Sequence, residues 1–429
     1  MKHPIAIIGG GLCGLTSAIR LAEKGHHVHL YEAAPALGGR TRSFYDATVD
    51  EWVDNGPHLL IGAYKATRKL LQSVGASSNV TWQRSLKLPL WDEQRGHFCL
   101  TPQPYLPFPL ALMTALYRLP NHSFDSLLSL LRIDRSMKSA DAASVKAWME
   151  AAKVSPALQR DLIEPLCLGA MNEPMESADC SSFASVLRET FANHDHARLG
   201  WFNKPLSEAL IKPLQHRLES LGGSIFTRTT IRSIEQLDDT CLLHTSQKEL
   251  GPYRSVVIAL PAYARNRLMG IDEHVETRPI TNVHLWFESD VSLPEPLIGG
   301  IGTRGQWYFD ISSQMQKSGS HHICAVISAQ EAGNKEALVQ NICAELAKLS
   351  NIETLHPVHS KIVTEQHATV LVRAEHRRAG PGMVIDVSEA PLPGDFPATI
   401  EAAVLRGEEA AKTLCFQHSH QVIHRKGNI

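Results

Sequence analysis

The sequence predicts an α/β fold with a parallel sheet at its amino-terminal end and more than one domain. First, the apolar run Ile5–Ile8 is short and uninterrupted, which is typical of a strand buried inside a parallel sheet. Second, residues 15–24 place apolar side chains at helical spacing, and the run Val28–Tyr31 predicts a second strand. Third, a chain of 429 residues predicts two or three folded units.

The overall composition indicates a globular protein without a charged surface for nucleic acid. Hydrophobic residues make up 43% and charged residues 20% of the chain, which supports a sizeable core. The 42 Lys and Arg residues nearly balance the 44 Asp and Glu residues, so the formal net charge is -2. A nearly neutral chain produces no extended positive field, and we expect no nucleic-acid partner.

The cysteines and histidines form no pattern typical of a metal site. The 8 cysteines are scattered without a C-x-x-C pair, which argues against a zinc ribbon or a disulfide scaffold and favours a reducing compartment. The 22 histidines fall mostly outside the motifs described below. We therefore expect no metal site.

No segment has the length of a secretory signal or a membrane span. The apolar run before Gly9 is too short for a signal peptide, and no uninterrupted apolar stretch reaches the roughly 20 residues that cross a bilayer. The apolar segment 106–117 is the best candidate for a membrane-facing patch, with a core helix as the alternative. We expect a cytoplasmic protein that is either soluble or attached peripherally to the inner face of the cytoplasmic membrane.

The residues between the two predicted strands have the pattern of a dinucleotide-binding turn. Gly9, Gly11 and Gly14 form a G-x-G-x-x-G motif that joins the first strand to the helix. The first glycine allows a tight turn, the second lets the backbone approach a pyrophosphate, and the third permits close helix packing, while the helix N-terminus offers N–H groups to the anion. Glu32 follows the second strand, where a carboxylate binds ribose hydroxyls. The predicted cofactor contacts are Gly9, Gly11, Leu12, Cys13, Gly14 and Glu32.

A second glycine turn follows the second strand. Gly38, Gly39, Arg40 and Thr41 combine two glycines with a guanidinium that can bind a diphosphate. The spacing from Glu32 resembles the E-x(5)-GGR signature of the FAD-dependent amine oxidase and carotenoid desaturase superfamily. The resemblance favours FAD over NAD as the cofactor, with these four turn residues in contact with it.

Five segments narrow the resemblance to one branch of this superfamily. The loop DNGPHLLIGAY at 54–64 is similar to the squalene-associated FAD-dependent desaturases, which are also described as hydroxysqualene dehydroxylases. The further segments EPLCLGAMN, FASVLR, GQWYFD and FPATIE resemble the same branch and follow in the same order, at 164–172, 183–188, 305–310 and 396–401. The resemblance therefore covers most of the chain.

The resemblance implies a Rossmann-type FAD-binding domain with an interleaved α+β substrate domain. Each domain is assembled from separate parts of the chain. The FAD-binding domain would comprise residues 1–75, 205–270 and 370–429, the last with a polar C-terminal tail, and the substrate domain would comprise residues 76–204 and 271–369.

The resemblance also implies further contacts with FAD. The loop after Asp54 would pass beside the isoalloxazine ring, and Ile231 would lie near the adenine. Related proteins carry an A-G-D-W turn before the P-A-T-I-E segment, and here Asp386 or Asp395 would replace its aspartate. The amides that open the helix predicted at 397–414 would stabilise negative charge on the reduced flavin. The contacts assigned in this way are Gly56, Pro57, His58, Ile231, Asp386, Thr399 and Ile400.

The activity implied by the resemblance is the reductive removal of the hydroxyl group of hydroxysqualene, which gives squalene. The hydroxyl must be protonated by a general acid, and the developing allylic cation must be sheltered from water. His58 is the first candidate for the acid, and a hydrogen bond to the loop or to FAD is its alternative role. Asp54 either takes part in catalysis or caps the backbone of its loop. The residues predicted to line the substrate cavity, with core packing as the alternative, are Leu166, Asn172, Trp307 and Phe309.

Two other functions remain open at this point. One is an oxidative flavoenzyme, such as a carotenoid-type or phytoene-type desaturase or an amine oxidase. The other is a non-catalytic isoprenoid-binding partner of squalene-synthase-like enzymes. The expected partners are an isoprenoid lipid substrate, a membrane surface and squalene-synthase-like enzymes.

Overall fold

The computed structural model describes residues 3–288, 291–317, 321–373 and 382–426, with residues 418–426 described by backbone alone. The chain combines helices with strands that form two large sheets and three small ones, which confirms the predicted α/β fold class. The strands are β1 (Ile5–Ile8), β2 (Val28–Tyr31), β3 (Ser43–Asp46), β4 (Glu51–Asp54), β5 (Leu59–Ile61), β6 (Val80–Trp82), β7 (Leu88–Asp92), β8 (Gly96–Leu100), β9 (Leu199–Phe202), β10 (Ser224–Phe226), β11 (Ser233–Gln236), β12 (Cys241–His244), β13 (Glu249–Tyr253), β14 (Ser255–Ile258), β15 (Thr277–Phe287), β16 (Leu297–Ile301), β17 (Trp307–Asp310), β18 (His321–Ser328), β19 (His359–Val370) and β20 (Val384–Asp386). The helices are α1 (Leu12–Glu23), α2 (Lys65–Ser73), α3 (Phe108–Tyr117), α4 (Phe124–Ser136), α5 (Val145–Ala151), α6 (Pro156–Leu158), α7 (Glu164–Met171), α8 (Cys180–Thr190), α9 (His194–Ala197), α10 (Lys212–Ser220), α11 (Ala262–Met269), α12 (Ile311–Gln314), α13 (Lys335–Leu349) and α14 (Ile400–Lys426).

The first large sheet is parallel and carries the glycine turn. Its five strands lie in the order β10-β2-β1-β14-β20, and every neighbouring pair is parallel. Apolar residues of α1, α10 and α14 pack on one face in a single core cluster, and the small sheet β11-β12-β13 packs on the other. The sheet is therefore buried on both faces, as the uninterrupted apolar runs of β1 and β14 require.

The second large sheet separates two hydrophobic cores. Its seven strands lie in the order β19-β15-β18-β17-β16-β7-β8, and its neighbouring pairs are antiparallel except for β16 and β7. One face packs against α13. The other face carries Trp307, Phe309 and Cys324 and packs against the apolar residues of α3 to α8. Because side chains alternate along a strand, the residues of β15 on this second face are Asn282, His284 and Trp286.

The two large sheets draw on alternating parts of the chain. The parallel sheet takes its strands from residues 5–31, 224–258 and 384–386, and the seven-stranded sheet takes its strands from residues 88–100 and 277–370. This distribution follows the interleaved order expected from the sequence. The domain boundaries themselves stay a proposal.

Three local predictions differ from the structure. With Asp141 as an acceptable N-cap, the sequence predicts a helix over residues 141–153. The helix begins instead at Val145, because the Ser144 hydroxyl accepts the Ala147 N–H at 3.2 Å and so caps it. The C-terminal helix expected at 397–414 spans Ile400–Lys426, and the backbone of the predicted tail is helical to Lys426. The apolar pattern at 231–234 predicts a strand, and the strand lies at Ser233–Gln236.

The predicted membrane-facing segment forms α3, a helix that is apolar on both its buried and its exposed sides. Phe108, Ala111 and Leu116 are buried in the core, whereas Leu110 and Tyr117 are 54% and 61% exposed. Among the helices that the structure describes, none has both the length and the apolar content needed to cross a bilayer.

Glu401 joins the C-terminal helix α14 to α2. Its buried carboxylate accepts the Ala66 N–H at 2.9 Å, the Thr67 N–H at 2.8 Å and the Thr67 hydroxyl at 2.7 Å. These N–H groups open α2 and have no partner within the helix, so the carboxylate supplies the missing acceptor. Glu401 therefore fixes the position of α2.

Candidate functional site

The first glycine turn leaves an open space at the N-terminus of α1. An added Cβ at Gly9 would lie 2.4 Å from the Ala259 carbonyl oxygen, and one at Gly14 would lie 1.9 Å from the Gly9 carbonyl oxygen. An added Cβ at Gly11 would meet no protein atom within 4 Å. Gly9 and Gly14 are therefore required by packing, whereas the space at Gly11 can admit a ligand beside the N–H groups of Leu12 and Cys13.

The second glycine turn lies directly against the first. The Gly38 N–H donates to the Gly10 carbonyl at 2.9 Å, and Gly11 forms a bridge with Gly38. Gly38 and Gly39 adopt φ values of 113° and 58°, a region that favours glycine. The buried Thr41 closes the turn by donating its N–H to the Gly38 carbonyl at 2.9 Å. We call the two glycine turns together the cofactor cradle.

Glu32 lies at the edge of the cradle. Its carboxylate accepts the Gly10 N–H and the Ala34 N–H, each at 2.7 Å, and is partly exposed. A carboxylate has about four acceptor positions, so each oxygen can still accept a hydroxyl. The position suits the ribose-binding role predicted for Glu32.

Arg40 binds an acidic residue that the sequence analysis did not select. Its guanidinium donates to the Ala368 carbonyl at 2.6 Å and forms an ion pair with Glu389. Glu389 is 2% exposed, and its Oε1 atom has no hydrogen-bond partner among the described residues, as is also true of the buried Ser388 hydroxyl. Glu389 therefore offers a free acceptor beside the cradle. Its place in the loop before the P-A-T-I-E segment, close to the expected aspartate, is the signal that could have revealed it.

The two aspartates predicted to contact FAD occupy different positions. Asp386 ends β20, accepts the Ser388 N–H at 2.9 Å and lies 3.5 Å from Arg265. The next residue lies against the start of α1, because the Cys13 thiol donates to the Val387 carbonyl at 3.7 Å. Asp395 accepts the Leu392 N–H at 2.8 Å within its own loop. Asp386 is therefore adjacent to the cradle.

The loop 54–58, which we call the cofactor loop, joins the cradle to the seven-stranded sheet. The Asn55 amide donates to the Arg40 carbonyl at 2.6 Å, and the Asn282 amide donates to the Asn55 carbonyl at 2.9 Å. An added Cβ at Gly56 would lie 2.6 Å from the Asn282 amide nitrogen. The loop is therefore held between the second glycine turn and β15.

Asp54 makes two hydrogen bonds at the start of this loop. Its Oδ1 atom accepts the Ser43 hydroxyl at 2.6 Å and the Leu206 N–H at 2.8 Å. Burial raises the pKa of Asp54 to about 7, although both hydrogen bonds lower it. The carboxyl is thus partly protonated at neutral pH, and both roles predicted for Asp54 stay open.

His58 follows the partly buried Pro57 in this loop and is neutral at pH 7. Burial lowers the pKa of His58 to about 4, although a hydrogen bond with the Arg40 backbone opposes this shift. A ring with this pKa is almost entirely unprotonated at pH 7. This favours the hydrogen-bonding role of His58 over the acid role.

The remaining residues assigned to FAD lie in separate elements of the fold. Ile231 packs in the core between the parallel sheet and β12. The Thr399 hydroxyl accepts the Ala402 N–H at 3.2 Å, which places Ile400 at the start of α14. Burial raises the pKa of Cys13 to about 11, so this side chain is a neutral thiol. The FAD contacts of these residues stay proposals.

Three of the four predicted substrate residues belong to one apolar cluster. Trp307 and Phe309 lie on the sheet face that also carries Asn282, and Leu166 of α7 packs against the same core. The indole N–H of Trp307 is buried without a partner among the described residues, and an added Cβ at Gly169 would lie 3.1 Å from its nitrogen. We call Leu166, Trp307 and Phe309 the apolar wall.

Asn172 has a different environment. Its amide nitrogen donates to the Thr369 hydroxyl at 2.9 Å and to the Pro279 carbonyl at 3.2 Å, and its oxygen accepts the Ala329 N–H at 2.7 Å. The amide therefore binds protein groups from three separate segments and fixes the end of α7 against β15 and β19.

One group of possible metal ligands occurs among the described residues. Glu235, His244 and Glu249 lie on the small sheet β11-β12-β13, and His244 Nε2 is 3.0 Å from Glu235 Oε2. Both carboxylates are exposed, and such groups are common without an ion. We assign no metal to them.

The cradle suits a dinucleotide cofactor. It combines the open space at Gly11, the N–H groups at the start of α1 and the unpartnered Glu389 oxygen. These groups can bind a pyrophosphate and hydroxyl groups without displacing protein atoms.

Comparisons with known proteins identify the family. Residues 12–415 match the family described as flavin containing amine oxidoreductase, and the chain belongs to it. A Zymomonas mobilis protein named hydroxysqualene dehydroxylase is 27% identical over 431 residues, which cover 96% of this chain and 99% of that protein. A Rhodopseudomonas palustris protein of the same name is 28% identical over 442 residues, which cover 96% of this chain and 98% of that protein.

A solved structure shows the same fold. An oxidoreductase from Methanosarcina mazei has a TM-score of 0.75 at 16% identity, over 96% of this chain and 100% of that one. Together with the family match, these findings confirm the predictions of an FAD cofactor and of an FAD-dependent oxidoreductase.

The glycines of the first turn provide a matched test of the cradle. Gly11→Ala should leave the stability of the FAD-free protein unchanged, because the added carbon meets no protein atom and Gly11 has φ -75°. It should nevertheless abolish flavin binding by filling the space for the pyrophosphate. Gly14→Ala should lower the free energy of unfolding by about 1–3 kcal/mol through overpacking. Denaturant unfolding and flavin absorbance measure the two effects, and full flavin occupancy in Gly11→Ala would contradict the assignment.

Glu389 and Asp395 can be compared in the same way. Glu389→Gln should weaken FAD binding about tenfold or more, because a hydrogen bond to a charged group contributes about 1.5–3 kcal/mol. Asp395→Asn should leave the affinity close to that of the wild type. The measurement is titration of the FAD-free protein with FAD, followed by flavin fluorescence. A greater loss in Asp395→Asn than in Glu389→Gln would reverse the assignment.

Proposed function

We propose that this FAD-dependent oxidoreductase removes the hydroxyl group of hydroxysqualene reductively and releases squalene. The observation that carries the proposal is the hydrogen bond from Asn282 to the cofactor loop, since Asn282 shares a sheet face with Trp307 and Phe309. The full-length similarity to proteins named hydroxysqualene dehydroxylase supports the same substrate.

The residues of the chain would contribute binding, shelter from water and a proton. Glu32, Arg40 and Glu389 would hold FAD, which supplies a hydride when it is bound and reduced. Trp307 and Phe309 would cover the reacting carbon and exclude water, which would otherwise capture an allylic cation. The hydroxyl group leaves readily only as water, so a protonated side chain must face it.

The direction of the redox reaction tests the proposal. The reduced, FAD-loaded protein is mixed with hydroxysqualene without oxygen, and both flavin absorbance and products are followed. We expect the flavin to be reoxidised and squalene to form in equal amount. An unchanged flavin spectrum, with reduction of the oxidised flavin by a polyene or an amine instead, would favour an oxidative enzyme and reject the proposal.

We also propose that a patch on α3 and α4 contacts the inner face of the cytoplasmic membrane. Tyr105, Leu110, Tyr117 and Phe124 are 77%, 54%, 61% and 68% exposed, and they belong to one continuous part of the chain. A lipid substrate must pass between the bilayer and the site, and an apolar surface lowers the free energy of that contact.

A vesicle experiment tests the membrane patch. The triple variant Leu110→Ser, Tyr117→Ser and Phe124→Ser should no longer float with vesicles of phosphatidylglycerol and phosphatidylethanolamine, since each inserted side chain contributes about 1.5–3 kcal/mol. Trp52→Ser is the control, because Trp52 is 54% exposed outside the patch. Equal flotation of the triple variant and the wild type would reject the patch.

A further inference from the structure

Glu173 is a buried acid whose hydrogen bonding is incomplete. Helix α7 ends at Met171, and Asn172 adopts a left-handed conformation that turns the chain into the interior. Glu173 is 2% exposed, and its Oε2 atom has no hydrogen-bond partner among the described residues. A buried carboxyl oxygen without a partner is costly, and it indicates a position where a ligand can bind.

The surroundings of Glu173 favour the neutral carboxylic acid. Burial raises the pKa of Glu173 to about 7, and the charge of Asp179 acts in the same direction. Arg278, Arg373 and a hydrogen bond with Ser177 lower the pKa but only partly offset the burial. The neighbouring Cys167 thiol donates to the Glu173 carbonyl at 3.4 Å and is itself uncharged because of burial. A large fraction of Glu173 is therefore protonated at neutral pH.

Short contacts connect the residue before Glu173 to the cofactor cradle. The preceding residue, Asn172, donates to the Thr369 hydroxyl at 2.9 Å. The residue before Thr369 is Ala368, whose carbonyl accepts a hydrogen bond from Arg40 at 2.6 Å. Glu173 thus directly follows Asn172, which fixes the end of α7 against β19. The same strand binds Arg40 through its Ala368 carbonyl.

The apolar wall contacts the helix that precedes Glu173, and its Leu166 belongs to that helix. Trp307 packs against Gly169, about one helical turn before Glu173, and its indole N–H has no partner among the described residues. An unpartnered donor that lies against α7 and an unpartnered acid that follows α7 therefore occur close to apolar side chains. This combination suits a ligand that has a single hydroxyl group on a hydrocarbon.

We propose that Glu173 is the catalytic acid that protonates the departing hydroxyl group of the substrate. The inference rests on the proposed dehydroxylation. The C–O bond breaks, its electron pair stays on oxygen, and the carboxylic proton forms the new O–H bond, so that water leaves. The carbon is reduced by the hydride that the proposed function already supplies, and the Glu173 carboxylate regains its proton from solvent.

The other two candidate acids are less suited to this role. His58 has a pKa of about 4, so its imidazole is almost entirely neutral at pH 7 and has no acidic proton to donate. Asp54 has a suitable pKa, but the Ser43 hydroxyl and the Leu206 N–H both bind its Oδ1 atom, which supports the capping role of this carboxyl group. Glu173 combines a proton at neutral pH with a free oxygen atom.

The experiment compares two leaving groups. Glu173→Gln keeps the shape of the side chain but removes the acid, and Glu164→Gln makes the same change at an exposed position of α7. Both variants and the wild type, loaded with FAD and reduced, are mixed without oxygen with hydroxysqualene or with its acetate ester, and squalene formation is followed. Unfolding temperature and flavin occupancy are measured for each protein.

The acid role predicts a selective loss. Glu173→Gln should slow the reaction of the alcohol about 100-fold or more, as expected for a lost general acid. It should react with the ester at close to the wild-type rate, because acetate leaves without full protonation, and Glu164→Gln should resemble the wild type with both substrates. The wild-type rate with the alcohol should fall as the pH rises through about 7, because the acid loses its proton.

Other results overturn the inference. An unchanged rate with the alcohol in Glu173→Gln, or an equal loss with both substrates, rejects the acid role while leaving the proposed function intact. If Glu173→Gln does not fold, Glu173→Asp decides, because a rate that does not fall with rising pH would reject the role. If the wild type forms no squalene from either substrate, the proposed function fails and the inference fails with it.

Discussion

The hydrogen bond from the Gly38 N–H to the Gly10 carbonyl, at 2.9 Å, is the contact on which the rest of the cofactor site depends. It requires two turns from different parts of the chain to approach by backbone alone, and the φ of 113° at Gly38 allows this. The turn that it fixes continues into Arg40, whose carbonyl accepts the Asn55 amide at 2.6 Å. The position of the loop after Asp54 is therefore set by the same backbone contact.

The seven-stranded sheet holds this loop from the other side, and the kind of contact changes across the sheet. At Asn282 the contact is polar and directional, since one amide donates to the Asn55 carbonyl at 2.9 Å. At Trp307 and Phe309 the same face is apolar, so it excludes water without imposing a direction. A site with these two parts fixes the cofactor loop accurately while leaving a hydrocarbon free to fit the wall. Such a division suits a large substrate with only one polar group.

Features that depend on neighbouring residues could be predicted from the sequence, and features that depend on distant contacts could not. The bounds Ile5–Ile8 and Val28–Tyr31 were correct because a glycine turn and apolar periodicity are local signals. The start of α5 was wrong because Asp141 and Ser144 are both acceptable caps, and the Val145 N–H is fixed by the distant Ala178 carbonyl. The acids Glu389 and Glu173 carry no local signal of burial. Glu389 is identified by its ion pair with Arg40, and Glu173 by its burial near Arg278 and Arg373, and both depend on residues distant in sequence.

Burial acts in opposite directions on the acids and the base of this site. The same apolar surroundings that raise the pKa values of Asp54 and Glu173 to about 7 lower that of His58 to about 4, because a low dielectric disfavours charge of either sign. At neutral pH the available proton therefore resides on a carboxyl group and not on the imidazole. Apolar surroundings that would suit the proposed lipid substrate thus also determine which type of side chain can serve as the acid. A histidine would need a neighbouring carboxylate to remain protonated there, whereas a buried glutamate needs only the absence of water.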